Sequence, residues 1–345
     1  MVNMQLSGDM TLSAGRNMNA KAATVQAGGA LDVNAGHNIL IQAGEDKQSS
    51  ASASRATSSG LFSSSTTVHQ DSSSTTTAIG SSFSGKSTSI EAGNDLLSIG
   101  AQFKGTDHLL VEGKHDQKFY AAINQSSSTS HSESSSSFMG LSVDKGSDTQ
   151  SEARVQALGS QLLSDQSIQV NVGKSAEFKG ATLQAPSVAF KNLDAANPGQ
   201  LSLGGTVETT QTYQASSSET LGVWQSQSGG GETTQTLKQT TINGNATFDK
   251  DLQVAVQVSK VVESRDQKPS KNIQYDVHQA ANSTELNQAA VKNQIESLSQ
   301  QPGLGYLKQL MDGNPGADNT NALSGPKVQW QQVQLAHDQW QYSQQ

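Results

Sequence analysis

The chain has 345 residues, of which 33% are hydrophobic, 5% aromatic and 15% charged, with a formal net charge of −8 and no cysteine. That is thin for several globular cores, and because Ser, Thr, Gln, Asn and Gly fill the gap rather than Lys and Glu, it points to a repetitive β architecture. An acidic balance without a basic patch excludes a nucleic-acid partner, and the missing cysteines exclude disulfides, thiolate metal sites and thiol catalysis.

The first elements declare a repeat. GDMTLSAGRNMNA, Gly8 to Ala20, aligns with GALDVNAGHNILI, Gly29 to Ile41, at an offset of 21 residues. Met10 then matches Leu31, Leu12 matches Val33, Ala14 matches Ala35, Gly15 matches Gly36, Asn17 matches Asn38 and Met18 matches Ile39. Apolar and polar residues alternate, Ala-Gly-x-Asn interrupts, and alternation resumes, which predicts short strands separated by a Gly/Asn turn. A third copy of the turn is AGND, Ala92 to Asp95. One such rung cannot bury its apolar face alone, so a period near 20 predicts a stacked coil of parallel strands, with Leu12 and Val33 in an interior column and Asn17 and Asn38 in an amide ladder.

A longer repeat overlies the short one. Ser/Thr-rich runs follow Gln48, Gln125 and Gln214, and each ends in glycine plus apolar residues, at Gly60-Leu61, Gly140-Leu141 and Gly222-Val223. Rung-like sequence returns between them, as in AQFKG, Ala101 to Gly105, and AEFKG, Ala176 to Gly180. The expected fold is therefore all-β: a parallel, right-handed β-helix or solenoid over residues 1–260 with extruded Ser/Thr-rich hairpins at about 45–88, 115–160 and 208–240.

The pattern then changes. Residues 261–282 read as a linker and 283–345 as a small α-helical segment. Within it, Ser283 is the N-cap of a helix carrying Leu286, Ala289, Ala290, Ile295 and Leu298 and stopping at Pro302-Gly303. A short helix, GYLKQLM, follows, and Gly325-Pro326 opens a last one with Trp330, Val333, Ala336, His337 and Trp340 on one stripe.

One stretch suggests chemistry. GSSFSGKS, with Gly80, Gly85, Lys86 and Ser87, fits the phosphate-cradling loop G-x-x-x-x-G-K-[ST]. A working loop needs a buried strand before it and a helix after it, whose N-terminus faces the phosphate. Here SSSTTTAI precedes and STSIEAGNDLL follows, so the match reads as chance within a Ser/Thr-rich stretch, and no cofactor is expected. His37, His69, His108, His115, His131, His278 and His337 show no H-E-x-x-H or H-x-H spacing, so no metal site is expected. No G-x-S-x-G is present, and the acids are spread singly rather than clustered as a polysaccharide-acting β-helix enzyme would need. No catalytic residue is assigned.

The A-G-x-[ND] rungs at period 21, the Ser-rich insertions and the closing KVQWQQVQLAHDQWQYSQQ resemble the haemagglutinin-repeat region of filamentous-haemagglutinin-like exoproteins. The Trp330 to Tyr342 segment is similar to the stretch preceding the pretoxin and toxin regions in effectors of contact-dependent growth inhibition. The resemblance implies a non-enzymatic segment of a long chain, secreted or held on the bacterial cell surface. Its implied partners are an outer-membrane two-partner-secretion transporter, the target-cell surface or outer membrane, and a C-terminal toxin domain beyond Gln345. The adhesin members imply an alternative, a shaft or binding module that attaches through the hairpins. MVNMQLSGDM lacks the apolar core of an export signal, so the chain is expected to be an internal fragment, a split gene or a remnant.

Overall fold

A computed structural model describes residues 2–139, 141–220, 224–259, 263–268, 300, 302, 303, 305 and 327–333. The described residues form strands that stack in parallel, coil upon coil. The first coil comprises Val2–Leu6, Met10–Ala14 and Met18–Lys21, and the second Ala23–Ala27, Leu31–Ala35 and Ile39–Gln42. The third comprises Ser82–Ala92 and Leu96–Ile99, and the fourth Gln102–Gly113 and Asp116–Tyr120. Gln161–Ser164, Ser167–Val172 and Ser175–Lys179 make the fifth coil. Thr182–Asn192 and the start of Gln200–Thr220 make the sixth, and Thr241–Phe248 and Gln253–Ser259 the seventh.

Alternation sets the register. Val33 lies over Leu12, Ile90 over Val33, Val111 over Ile90, Val170 over Val111, Phe190 over Val170 and Phe248 over Phe190. The expected Leu12–Val33 column is therefore real and extends through the molecule. Phenylalanines join the columns across the interior: Phe103 meets Phe119 edge-on with centroids 6.3 Å apart, and Phe178 meets Phe190 edge-on at 6.0 Å, while Phe119 stacks on Phe178 within a column at 4.6 Å. The ladder of Asn17 and Asn38 differs in detail from the expected amide stack. Asn17 Oδ1 accepts from the Asn38 backbone N–H at 3.2 Å, and Asn38 Oδ1 from that of Asp95 at 3.2 Å, so each side chain caps the next coil's strand.

Three long hairpins leave one corner of the coil. They are Gly44–Ser59 with Ser63–Ile79, Ala122–Phe138 with Leu141–Leu158, and Gly205 to Thr220 with Trp224–Gln239. Where a coil continues without a hairpin, the same corner is turned by a left-handed residue: Ala22 at φ 49°, Gly100 at φ 62° and Gly180 at φ 64°. A Cβ on Gly100 would lie 2.6 Å from that of Ala122 at the base of the second hairpin. The corner thus alternates between a tight turn and an extrusion. Strands lie about 4.8 Å apart in either direction of stacking, so two coils advance about as far as the two strands of one hairpin. Successive hairpins consequently meet edge to edge and pair antiparallel, Gln125 to Phe138 against Ser63 to Thr76, and Asp144 to Val155 against Thr209 to Thr220. The result is a continuous blade of strands, roughly 50 Å long at about 3.3 Å per residue.

Several expected boundaries move. The first excursion ends at Ile79 rather than near 88, because the Ser-rich Ser82–Ala92 hides the alternation Phe83, Gly85, Thr88, Ile90, and buries Phe83 and Ile90. The second begins at Ala122 rather than 115, since Asp116–Tyr120 belongs to a coil through buried Gln117 and Phe119. Gly60-Leu61 falls at the turn of the first hairpin, between Gly44–Ser59 and Ser63–Ile79, so the Ser/Thr-rich run that it ends is a single strand. Part of the expected linker, Glu263–Lys268, pairs antiparallel with the third hairpin at Gly229 to Thr234. The helix expected after Pro326 is a strand over Lys327–Val333, parallel to Gln253–Ser259. There Val328 and Trp330 share a period of two and align with Val254 and Val256, and a coil edge already waiting to be paired overrides the helical stripe. The remaining residues of the expected linker and helical segment, apart from 300, 302, 303 and 305, lie outside the described residues.

Candidate functional site: the blade and its base

The base of each hairpin is closed by a buried hydroxyl just after the returning strand. Ser81 Oγ donates to the Gln42 carbonyl at 2.8 Å and accepts from the Ala23 N–H at 3.1 Å. Ser160 Oγ donates to the Tyr120 carbonyl at 2.8 Å. Thr240 Oγ1 donates to the Gly204 carbonyl at 2.7 Å and accepts from the Ala181 N–H at 3.4 Å. All three side chains are buried. Each ties a residue one or two positions before the departing strand to one that lies one or two positions after the returning one, so the coil is locally continuous beneath the hairpin. Sequence reasoning missed these hydroxyls because serine is everywhere in the chain. The signal was available as Gly-Ser at both Gly80-Ser81 and Gly159-Ser160.

The hairpins are also tied to one another where their ladders end. Asn124 Oδ1 accepts from the Ala78 N–H at 2.6 Å, Glu208 Oε1 from the Ala157 N–H at 3.0 Å, and Lys179 bonds Glu177 at 2.7 Å nearby. Tyr120 donates its hydroxyl to Glu177, and Lys179 lies 5.2 Å from the centre of the Tyr120 ring. Burial, together with the hydrogen bond to Glu177, raises the Tyr120 phenol above its ordinary value. Partial burial works to raise Glu177, yet the hydrogen bonds from Lys179 and Tyr120 outweigh it and hold the carboxyl below its usual range.

Above the base the blade is largely hydroxyl on both faces. Cross-strand pairs such as Ser50 with Ser73, Ser147 with Ser217 and Ser216 with Ser228 lie 2.7–2.8 Å apart. One face forms a shallow concavity of about 970 Å³ lined by Ser50, Asp71, Ser128, Gln150, Glu152 and Gln214 among others. At the far end the turns expose Leu61, Phe62, Phe138, Met139 and Leu141.

The four residues of the phosphate-loop match lie at the coil. Gly80 re-enters it beside the Gly100 carbonyl, which a Cβ would approach to 2.8 Å, and Gly85 sits in Ser82–Ala92 against Leu31. The Lys86 N–H donates to the Gly29 carbonyl at 2.7 Å, and its Nζ lies 3.8 Å from Asp107. Ser87 pairs with His108 of the next coil. The match therefore falls on a parallel strand whose Lys86 amide serves the neighbouring coil.

One grouping was invisible to spacing rules. Asp95, His115 and Asp116 bring ligand-type atoms within 4.8 Å of one another, with His115 Nδ1 3.1 Å from Asp95 and 3.5 Å from Asp116. Coil periodicity causes this, since Asp95 and Asp116 occupy successive positions of the capping ladder. Asp95 Oδ1 accepts from the Asp116 N–H at 3.2 Å, and Asp116 Oδ1 accepts from Ser175 Oγ at 2.8 Å.

A profile of the hemagglutinin repeat matches residues 2–68 and 62–220, which span the first six coils, the first two hairpins and the outgoing strand of the third. The chain belongs to the hemagglutinin-repeat family. No curated protein and no solved structure is significantly similar to it. The two match segments of the hemagglutinin repeat meet at the turn of the first hairpin.

Proposed function

We propose that this hemagglutinin-repeat chain is a non-enzymatic structural and delivery segment of a large secreted surface protein, carrying a C-terminal effector toward target cells as a contact-dependent growth inhibition toxin does. The observation that supports it most is that the buried apolar residues serve stacking: the described interior is one line of aliphatic and aromatic columns, and the polar mass is spent on a projecting blade. Parallel coils fold by adding one rung to the last, which suits a chain that emerges unfolded through an outer-membrane transporter and gains structure outside. In this reading Gly80, Gly85, Lys86 and Ser87 bind no nucleotide, and titration calorimetry with Mg-ATP gives only heat of dilution.

The deciding experiment is peptide mapping and intact mass spectrometry of the native product in cytosolic, outer-membrane and secreted fractions. The proposal expects peptides of this chain within a much larger exported polypeptide. A free product near 36 kDa confined to the cytosol would overturn it.

The hydroxyl-lined concavity on the blade supports a second reading, an adhesin module that contacts a receptor or glycan. Excising the three hairpins while keeping the coils separates the two. Loss of attachment with β structure retained favours the adhesin.

A further inference from the structure

The blade ends in side chains that contradict its composition. Leu61 is 90% exposed, Leu141 74%, Met139 68%, Phe62 58% and Phe138 54%, in a blade otherwise dominated by Ser and Thr. They belong to the turns of two separate hairpins, yet they form one row. Met139 N–H donates to the Phe62 carbonyl at 2.8 Å, and Phe138 pairs with both Ser63 and Leu141. The third turn follows the same plan in sequence, with Leu221, Val223 and Trp224 after Thr220. Apolar residues thus recur in the sequence each time the long repeat does.

We infer that this row of tips is a lipid-contacting edge that enters the outer part of a bilayer leaflet while the blade stays in water. Four observations favour lipid over a protein groove. The apolar groups sit on the convex extremity of the blade rather than in a concavity, so a flat, yielding surface fits them better than a rigid pocket. The tip amides of Gly60 and Met139 are satisfied within the blade, by the carbonyls of Ser63 and Phe62, which is what an apolar medium demands of backbone. Leu, Phe, Met and Trp are the side chains that bury well at a headgroup boundary. Hydroxyls on both faces immediately behind the tips set the depth, because deeper entry would strip them of water. Charge near the tips is mixed, with Arg55 and Lys145 opposed by Glu133, Asp144 and Glu219, so the contact is apolar rather than electrostatic and fits a zwitterionic surface. This inference does not depend on a toxin cargo, and its failure would leave the scaffold reading intact.

The absence of native cysteine gives a clean test on the full chain. Leu61→Cys and, as a mid-blade control, Ser73→Cys are labelled with an environment-sensitive nitrobenzoxadiazole dye and mixed with phosphatidylcholine vesicles. The expected result is a blue shift and several-fold brightening at position 61 but not at 73, persisting at high salt. A second variant replaces Leu61, Phe62, Phe138, Met139 and Leu141 with Ser, and is checked for unchanged β circular dichroism. It is expected to lose about tenfold or more in vesicle co-flotation. Equal response at both labels, no flotation of the unmodified chain, flotation abolished by salt, or undiminished flotation of the five-fold variant would each overturn the inference. Should the variant fail to fold, the two-label comparison decides alone.

Discussion

The coil and the blade are built from the same hydrogen-bonding ladder and hold themselves together in opposite ways. In the coil, side chains inside the ladder carry the stability: Phe119, Phe178, Leu183 and Val254 are almost fully buried, and each rests on its counterpart above and below. In the blade, cross-strand hydroxyl pairs stand in water on both faces and contribute little beyond register, because the same groups bond well to solvent. The difference teaches that a Ser/Thr-rich sheet of this length persists by being anchored. Its bases are fixed by Ser81, Ser160 and Thr240, and its strands are fixed by one another.

The most forceful way to break the contrast is to treat both regions alike. Phe178→Ala, within the aromatic line, is expected to cost about 3–5 kcal/mol, whereas Ser134→Ala in the blade stays within about 0.5 kcal/mol, read from denaturant midpoints. Comparable losses would mean that the blade carries its own stability. Next comes Gly100→Ala, where a left-handed corner meets the base of the second hairpin. The conformational penalty alone is about 1–2 kcal/mol, and the 2.6 Å approach to Ala122 adds to it. Hydrogen exchange should show the loss concentrated at that base.

Removing an anchor sharpens the comparison further. Ser160→Ala removes the hydroxyl that donates to the Tyr120 carbonyl and meets the buried Ser98 Oγ at 3.0 Å, while the carbonyl keeps the Gly100 N–H at 2.9 Å, and is expected to cost about 0.5–1.5 kcal/mol. Proteolysis should then cut the second hairpin faster than the first. The smallest effect is electrostatic. Glu177 has a lowered carboxyl pKa, so its contribution is present above the unfolded value of about 4.3 and is lost as pH falls through the lower folded value. Tyr120 has a raised phenol pKa, so its contribution is present below about 10 and is lost as pH rises beyond that. Both groups are partly exposed, and each contribution is below about 1 kcal/mol after screening. Glu177→Gln should flatten the acid limb of a stability profile, and an unchanged limb would remove Glu177 from the account.

What was legible in the sequence follows the same division. Leu12 over Val33 and the Ala-Gly-x-Asn turns could be read because burial forces a period of two and stacking forces a period of 21. Residues 82–88 read as excursion in the sequence because the buried positions there include Gly85 and Thr88 alongside Phe83, so composition masked the alternation. Lys327–Val333 carries a pattern that suits either a helix or a strand, and only the open edge of Gln253–Ser259, distant in sequence, decides between them. The base hydroxyls and the Asp95, His115, Asp116 grouping were hidden for a related reason. Their partners are one or more coils away, and no local motif records that distance.

The shared spacing of coil and blade has a consequence for how such a protein can change its length. Deleting a single coil between two hairpins would offset one hairpin from the next by a strand's width, and the lateral pairing would open. Deleting two coils together with their hairpin leaves every seam intact. The inheritable unit of growth is therefore a double coil with its fin, and Gly60, Gly140 and Gly222, 80 and 82 residues apart in the sequence, record its spacing.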